Sequence, residues 1–384
     1  MPLLSSRFDP SVLSPLELSL ILQLLPQCGP ASYWSLIEHF GDISTAFTID
    51  PETLTSCLPE SARAPLRELY VRGERSEVLT RVRAEQMMAA AAEVQILHAQ
   101  MDDYPPLLRE VKRAPPLLYV KGSVEALSLP QLAIVGSRSP SALGRELALD
   151  FACSLANMGL SITSGLALGI DGFAHRGALS KDPTGAGLTI AVMGCGLNRV
   201  YPLRHRGLAA EIVASGGAIV SEFPMQTPAH AHNFPQRNRI VSGLSCGTLV
   251  IEAAVRSGSL ITARLAAQQG REVFAIPGSI RNPLAKGCHS LIRDGAKLVE
   301  QAEDILEELG SVIETFKTAQ RIDTTKPVLS AREQIVLDAI GYEVTDTDLI
   351  AERCAMGHAE LSGVLLRLEM QGLVDNVGLG YMRM

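Results

Sequence analysis

The chain has 384 residues, 47% of them hydrophobic, and a formal net charge of -7. That length supports a large buried core in two or three domains. Met1 to Pro10 lack a basic start followed by an apolar run, and no stretch approaches the length of a spanning helix. A cytoplasmic protein with no membrane association is therefore expected. The seven cysteines stand singly, without a CxxC pair, which points to reduced thiols rather than a disulfide scaffold or zinc site.

In chain order, residues 14 to 50 read as two short amphipathic helices around Gln27-Cys28-Gly29-Pro30, with Leu16, Leu20, Leu24, Leu36, Ile37 and Phe40 on their apolar faces. A further helical stretch is expected from about Pro65 to Ala92. From Val94 to Leu298 short apolar runs alternate with helix-period segments: 132–135, 160–163, 188–193, 218–220, 249–251 and 273–276. Runs this apolar have both faces covered. The expected fold class is therefore α/β, a Rossmann-like doubly wound, mainly parallel sheet whose ligand site lies at the carboxyl ends of its strands.

Residues 311 to 329 lose the alternation and carry several threonines before Lys326-Pro327, so a linker is expected there. Beyond it Ser330 and Glu333 form a capping box. Helices around 346–354 and 358–371 then lead to a hairpin within 373–382, which is the winged-helix pattern. The expected domains are a helical one over 1–75, the Rossmann-like core over 76–310, the linker over 311–329 and the winged helix over 330–384.

Charge divides along the same lines. Lys and Arg number 11 against 16 Asp and Glu in residues 1 to 130, 16 against 10 in 131 to 300, and 7 against 15 in 301 to 384. The segments thus carry -5, +6 and -8. Thirteen of the 16 central cations are arginines, suited to bidentate phosphate contact and to stacking on bases. The winged helix has only Arg332, Arg353, Arg367 and Arg383 against nine acids over 331–384, so it is expected to meet protein or to modulate the core rather than to grip DNA.

The strand ends of the central segment are rich in glycine: Gly136-Ser137-Arg138, Ser164-Gly165 with Gly169-Ile170-Asp171, Gly194-Cys195-Gly196, Gly243 to Gly247, and Ser257-Gly258-Ser259. Glycine admits a phosphate close to the backbone, and together these turns suggest a phosphate-binding rim. Each one alone fits a tight turn equally well, and neither G-x-G-x-x-G nor G-x-x-x-x-G-K-[ST] is present. Phe234, Arg237, Asn238 and Arg239 add a ring and donors within one helical turn, the combination that single-stranded nucleic acid requires. Two cations in a first helical turn would oppose the helix dipole and call for an anion. Arg138 is the proposed opposite wall of this groove. His230-Ala231-His232 lacks the further ligands of a metal site. Asp171 and His175, spaced for acid–base work, are expected instead to tie down the Gly169 turn, while Glu222 and Glu252 stand at strand ends where a nucleotide enzyme would grip ribose.

Several of these motifs, in order, resemble the DNA-processing protein A family (DprA, also called Smf). They are Ile134 to Arg138; Ser164 to Ala167 with Gly169-Ile170-Asp171 and Ala174-His175; Gly196-Leu197 with Tyr201-Pro202; Ser221 to Pro224; Phe234-Pro235 with Arg237 to Ile240; Ser257 to Leu260 with Thr262-Ala263; Pro277-Gly278; and Leu291-Ile292 with Gly295-Ala296. The resemblance covers about Asp103 to Leu298 and departs at His205, Cys195 and Cys246. It implies a helical, SAM-like N-terminal domain and a non-catalytic protein of natural transformation. Such a protein binds and protects incoming single-stranded DNA and helps load RecA for recombination in competition with single-strand-binding protein, as a homodimer. The DNA-binding residues expected are Gly136, Ser137, Arg138, Ser164, Gly165, Phe234, Arg237, Asn238, Arg239, Ser257, Gly258 and Ser259, with no catalytic residue, cofactor or metal. Two rival readings are a Rossmann-fold nucleotide-processing enzyme of phosphoribohydrolase type, using Glu252, and an assembly scaffold for which DNA is incidental.

Overall fold

A computed structural model describes residues 8–324, 330–340, 344–354, 356–370, 373–377 and 380–383. The chain divides after Glu314 into two compact units. The first holds a nine-stranded sheet: β1 (Val94–His98), β2 (Leu117–Gly122), β3 (Gln131–Gly136), β4 (Ser161–Ser164), β5 (Thr189–Val192), β6 (Ala218–Ser221), β7 (Gly247–Ile251), β8 (Glu272–Ala275) and β9 (Lys297–Leu298). Their order across the sheet is β1-β2-β6-β5-β4-β3-β7-β8-β9. From β6 to β9 all neighbours are parallel, while β2 and β1 add an antiparallel edge. Every residue of β4, β5, β6 and β7 is buried, as strands covered on both faces must be.

The topology locates the site. Crossovers step from β3 through β4 and β5 to β6 on one side, and the chain then returns to β7 and steps to β8 and β9 on the other. The loops leaving the carboxyl ends of β3 and β7 therefore diverge and open a crevice, the usual ligand position in a doubly wound sheet.

The N-terminal helices start as the local chemistry dictates: Ser14 and Glu17 cap Pro15–Leu24 in a capping box, and Pro30 opens Pro30–Phe40. The stretch expected to be helical from about Pro65 to Ala92 is divided between two helices, Glu60–Arg72 and Glu77–Ala91. Gly73 takes a left-handed φ of 51° and Ser76 caps the second helix. These helices share a core with the sheet edge, including Leu20, Tyr33, Phe47, Leu117, Tyr119 and Met225. Polar ties reinforce it: Trp34 donates to the carbonyl of Ala114 at 2.7 Å, and Glu85 accepts from the Met225 amide at 2.6 Å. The boundary expected at residue 75 is thus a change of architecture and not a break in packing.

The expected linker is partly helical, because the helix Ala302–Thr324 runs through it. No glycine or proline lies between Ser311 and Lys326 to stop that helix. The remainder of the linker, 325–329, lies outside the described residues. In the second unit Ser330 and Glu333 make the expected capping box on Ala331–Ala339, and Thr347–Cys354 and His358–Met370 follow. Strands β10 (Val374–Asn376) and β11 (Tyr381–Arg383) pair antiparallel, completing three helices and a hairpin; Gln371, Gly378 and Leu379 lie outside the described residues. Among the described residues no helix is long and apolar enough to cross a membrane.

Candidate nucleic-acid interface

A cleft of about 770 Å³ opens at the carboxyl ends of the strands, at the β3/β7 divergence. The turn after β3 supplies Gly136, Ser137 and Arg138, the turn after β4 supplies Gly165 and Ala167, and the loop after β7 supplies Arg256, Ser257, Gly258 and Ser259. The helix Asn233–Gly243 presents Phe234, Arg237, Asn238 and Val241, which share one face by their spacing of three, four and seven. The cleft therefore gathers most of the residues expected from the sequence.

Ser164 and Arg239 do not line it. Ser164 is buried, and its hydroxyl donates to the carbonyl of Ile134 at 2.7 Å. Arg239 stands two residues past Arg237, about 200° round the helix, and faces away from the cleft. There it forms an ion pair with the buried Glu222 and donates to the carbonyl of Arg113 at 2.9 Å. Burial raises the Glu222 carboxyl and the charge of Arg239 opposes that rise.

Arg237 lines the cleft as part of its floor. It is 4% exposed, and Nη1 donates to the carbonyls of Val192 and, at 2.6 Å, of Gly165. Burial pulls its guanidinium down to about 10, against the charge of Asp171. Asp171 in turn accepts from the amides of Gly165 at 3.1 Å and Ala167 at 3.3 Å, so it secures the turn after β4 rather than the Gly169 turn. His175 is not its partner: Nδ1 lies 2.7 Å from Thr189 Oγ1, and burial lowers the imidazole to about 3. The helix begins at Asn233, which places Arg237 and Arg239 in its second turn, each facing a carboxylate of the protein. Neither arginine therefore needs an anionic ligand to offset the helix dipole.

The exposed cations of the cleft are Arg138 and Arg256. The Arg138 guanidinium carbon lies 6.0 Å from the centre of the half-buried Phe234 ring, a cation–π distance. Arg138 is thus the neighbour of Phe234 and not the opposite wall. Tyr201, 49% exposed, brings a second ring 5.5 Å from Phe234 and tilted by 40°. Arg256 and Tyr201 were missed as site residues. The signals available were that Arg256 directly precedes the Ser257-Gly258-Ser259 turn and that Tyr201 lies in a family motif.

The glycines mostly serve close packing. A side chain at Gly165 would sit 2.5 Å from the Arg237 guanidinium, and one at Gly194 would sit 2.9 Å from the Phe234 ring. Gly136, Gly169 and Gly196 likewise abut main-chain carbonyls, whereas Gly258 faces open space. The expected rim of five phosphate cradles contracts to the Ser257–Ser259 turn, which opens the helix Ser259–Gln268, together with Arg138 and Arg256. The N-terminal ends of two helices and two exposed arginines give this cleft a positive potential.

The strand-end carboxylates are engaged elsewhere. Glu252 accepts from the Ser141 amide at 2.8 Å and from its hydroxyl at 2.5 Å, and Glu222 holds Arg239. Neither lines the cleft. His205, where the resemblance departs, is buried with Nδ1 2.9 Å from the Leu166 carbonyl.

The family model of the DNA recombination-mediator protein A matches residues 95–310, and that of the DprA winged helix domain matches residues 321–378. The chain is 46% identical to Protein Smf of Escherichia coli over 297 residues, 75% of this chain and 77% of Smf. It is 46% identical to DNA processing protein DprA of Streptococcus pneumoniae over 208 residues, 54% of this chain and 71% of that protein. The X-ray structure of Streptococcus pneumoniae DprA superposes with a TM-score of 0.65 at 33% identity, covering 77% of this chain and 98% of that one. A structure of Helicobacter pylori DNA processing protein A, described for its single-stranded DNA binding mode, superposes with a TM-score of 0.50 at 28% identity, covering 57% of this chain and 96% of that one.

Proposed function

The chain belongs to the DNA recombination-mediator protein A family, and from that premise we propose that it binds single-stranded DNA in the cleft between β3 and β7. The observation that carries this reading is the pairing of Arg138 with Phe234: an exposed guanidinium over a half-exposed ring, in a cleft lined also by the N-terminal ends of two helices. A base entering between them would stack on the ring while the guanidinium met its phosphate, and such stacking contributes roughly 1–3 kcal/mol per base. Duplex DNA offers no free base face to this arrangement. The likeness to the Helicobacter pylori structure supports the same ligand.

In this reading the protein acts in the cytoplasm, during natural transformation. It shields incoming strands and helps load RecA in competition with single-strand-binding protein, as a homodimer, and it is not an enzyme. The rival nucleotide-processing reading needs a carboxylate free to work in the cleft, and both Glu222 and Glu252 are bound to protein donors. The test is a fluorescence-anisotropy titration of a single-stranded oligonucleotide. Arg138→Glu is expected to weaken binding by about tenfold or more, since it reverses a phosphate contact; unchanged affinity would remove the site from the account.

A further inference from the structure

A second pocket, of about 160 Å³, lies between the helices Pro15–Leu24 and Pro30–Phe40, the start of β2 and the turn after β6. It shares no lining residue with the cleft. The helix Asn233–Gly243, which presents Phe234 and Arg237 to the cleft, turns Gln236 to this pocket instead. Most of the lining is apolar: Leu22, Tyr33, Leu117, Phe223 and four prolines. An apolar cavity of about 150 Å³ is enough to hold a benzene ring.

The polar groups around the pocket are engaged by the protein, with one exception. The Gln23 amide donates to the Glu222 carbonyl at 2.8 Å, and its oxygen accepts from the Tyr119 hydroxyl at 3.0 Å. The Ser19 and Tyr33 hydroxyls both lie within hydrogen-bond distance of His98 Nε2. The exception is the Glu222 carboxylate, whose side chain is only 4% exposed. Its Oε2 is paired with Arg239, while Oε1 is closed off from water and has no hydrogen-bond partner. Burial raises this carboxyl; the Gln236 amide stands close enough to oppose the rise but is not aligned on Oε1. A buried acceptor without a donor is costly, and more so on a charged group.

We propose that this pocket binds a small neutral aromatic molecule carrying one N–H or O–H donor, its ring against the prolines, Tyr33 and Phe223 and its donor on Glu222 Oε1. Rotation of the exposed Gln236 side chain opens that oxygen to the ligand. Proline and aromatic rings offer flat faces to a flat ring, and a ring with one polar handle satisfies the acceptor at its edge. The ligand is neutral because Arg239 already balances the carboxylate: a cation would bring an unmatched charge into a buried site, and an anion would face Glu222.

The experiment is a calorimetric titration of the full chain with indole, with 1-methylindole, which keeps the ring and lacks the N–H, and with benzoate. Indole is expected to bind one to one, at least about tenfold tighter than 1-methylindole, and benzoate not to bind. Gly29 lines the pocket, and a side chain added there meets no atom within 4 Å, so Gly29→Phe is expected to fill the space and abolish indole binding with the thermal midpoint unchanged. A second readout needs no substitution. Saturating indole is expected to slow the alkylation of Cys28, a half-buried thiol of the pocket, by iodoacetamide several-fold and to leave the exposed Cys57 unaffected. Absence of indole binding, equal affinity for 1-methylindole, binding that survives in Gly29→Phe, or an unprotected Cys28 overturns the proposal. Arg138→Glu, in the cleft, is expected to leave indole affinity unchanged, so the pocket and the strand cleft stand or fall separately.

Discussion

Arg138 and Arg237 carry the same charge into opposite surroundings. Arg237 spends its guanidinium on two main-chain carbonyls and faces Asp171, while Arg138 stands exposed over Phe234. Arg237→Glu would set two carboxylates together in a buried site, so any loss of DNA binding would come with a loss of folding. Gly165 is bound to the same arrangement. Gly165→Ala is expected to cost about 1–3 kcal/mol in urea denaturation, because the added carbon meets the Arg237 guanidinium; an unchanged midpoint would show that the arginine has room to move. The ring and cations of the 234–239 run were legible in the sequence as a nucleic-acid signal. Which arginine faces the cleft was not, since that depends on helix phase and on Asp171 and Glu222, brought in from the start of the helix Ile170–Leu179 and from the end of β6. The glycines misled for a related reason: a missing side chain looks the same in sequence whether it makes room for a phosphate or for Arg237.

Among the elements, the β1 edge is tied to the N-terminal helices by one buried polar knot. His98 Nε2 lies 3.0 Å from Ser19 Oγ and 3.1 Å from the Tyr33 hydroxyl, and burial lowers its imidazole to about 4. The unfolded chain therefore takes up a proton near pH 6.5 that the folded chain refuses until about 4, so stability is complete above that range and is lost as the pH falls through it. Between about pH 7 and pH 5 this amounts to on the order of 2 kcal/mol. His98→Gln, which removes the titration, is expected to flatten the fall in thermal midpoint over that interval; a wild-type slope that is unaltered in the variant would place the pH sensitivity elsewhere. Strands β3 to β7 were readable as apolar runs because both their faces are covered, and β8 from its buried Phe274 and Ala275. β1 and β2 were not singled out, and β9 is two exposed residues whose only mark is pairing with β8. Residues 311 to 324, the second part of the helix Ala302–Thr324, were read as linker from their threonines, although nothing in that stretch stops a helix.

At the scale of the whole molecule, charge is partitioned. The cations concentrate in residues 131 to 300, and those at the cleft, Arg138 and Arg256, face it without a neutralising acid in its lining other than Asp171. The winged helix carries nine acids against four arginines over 331–384, and all four engage protein groups: Arg332 with Glu360, Arg353 with the Ala339 carbonyl, Arg367 with Glu333 and Arg383 with Asp338. Truncation after Thr324, where the described helix ends, is expected to leave single-strand affinity within about twofold, measured by anisotropy. A larger loss would give the acidic domain a direct part in binding. On the proposed function, an open cleft with one stacking ring and exposed arginines selects single strands. The most direct test titrates one labelled sequence, single-stranded and as duplex, at about 50 mM and about 200 mM salt. The single strand is expected to bind at least about tenfold tighter at both concentrations, with both affinities falling as salt rises. Equal or tighter binding of the duplex, or affinity indifferent to salt, would contradict it.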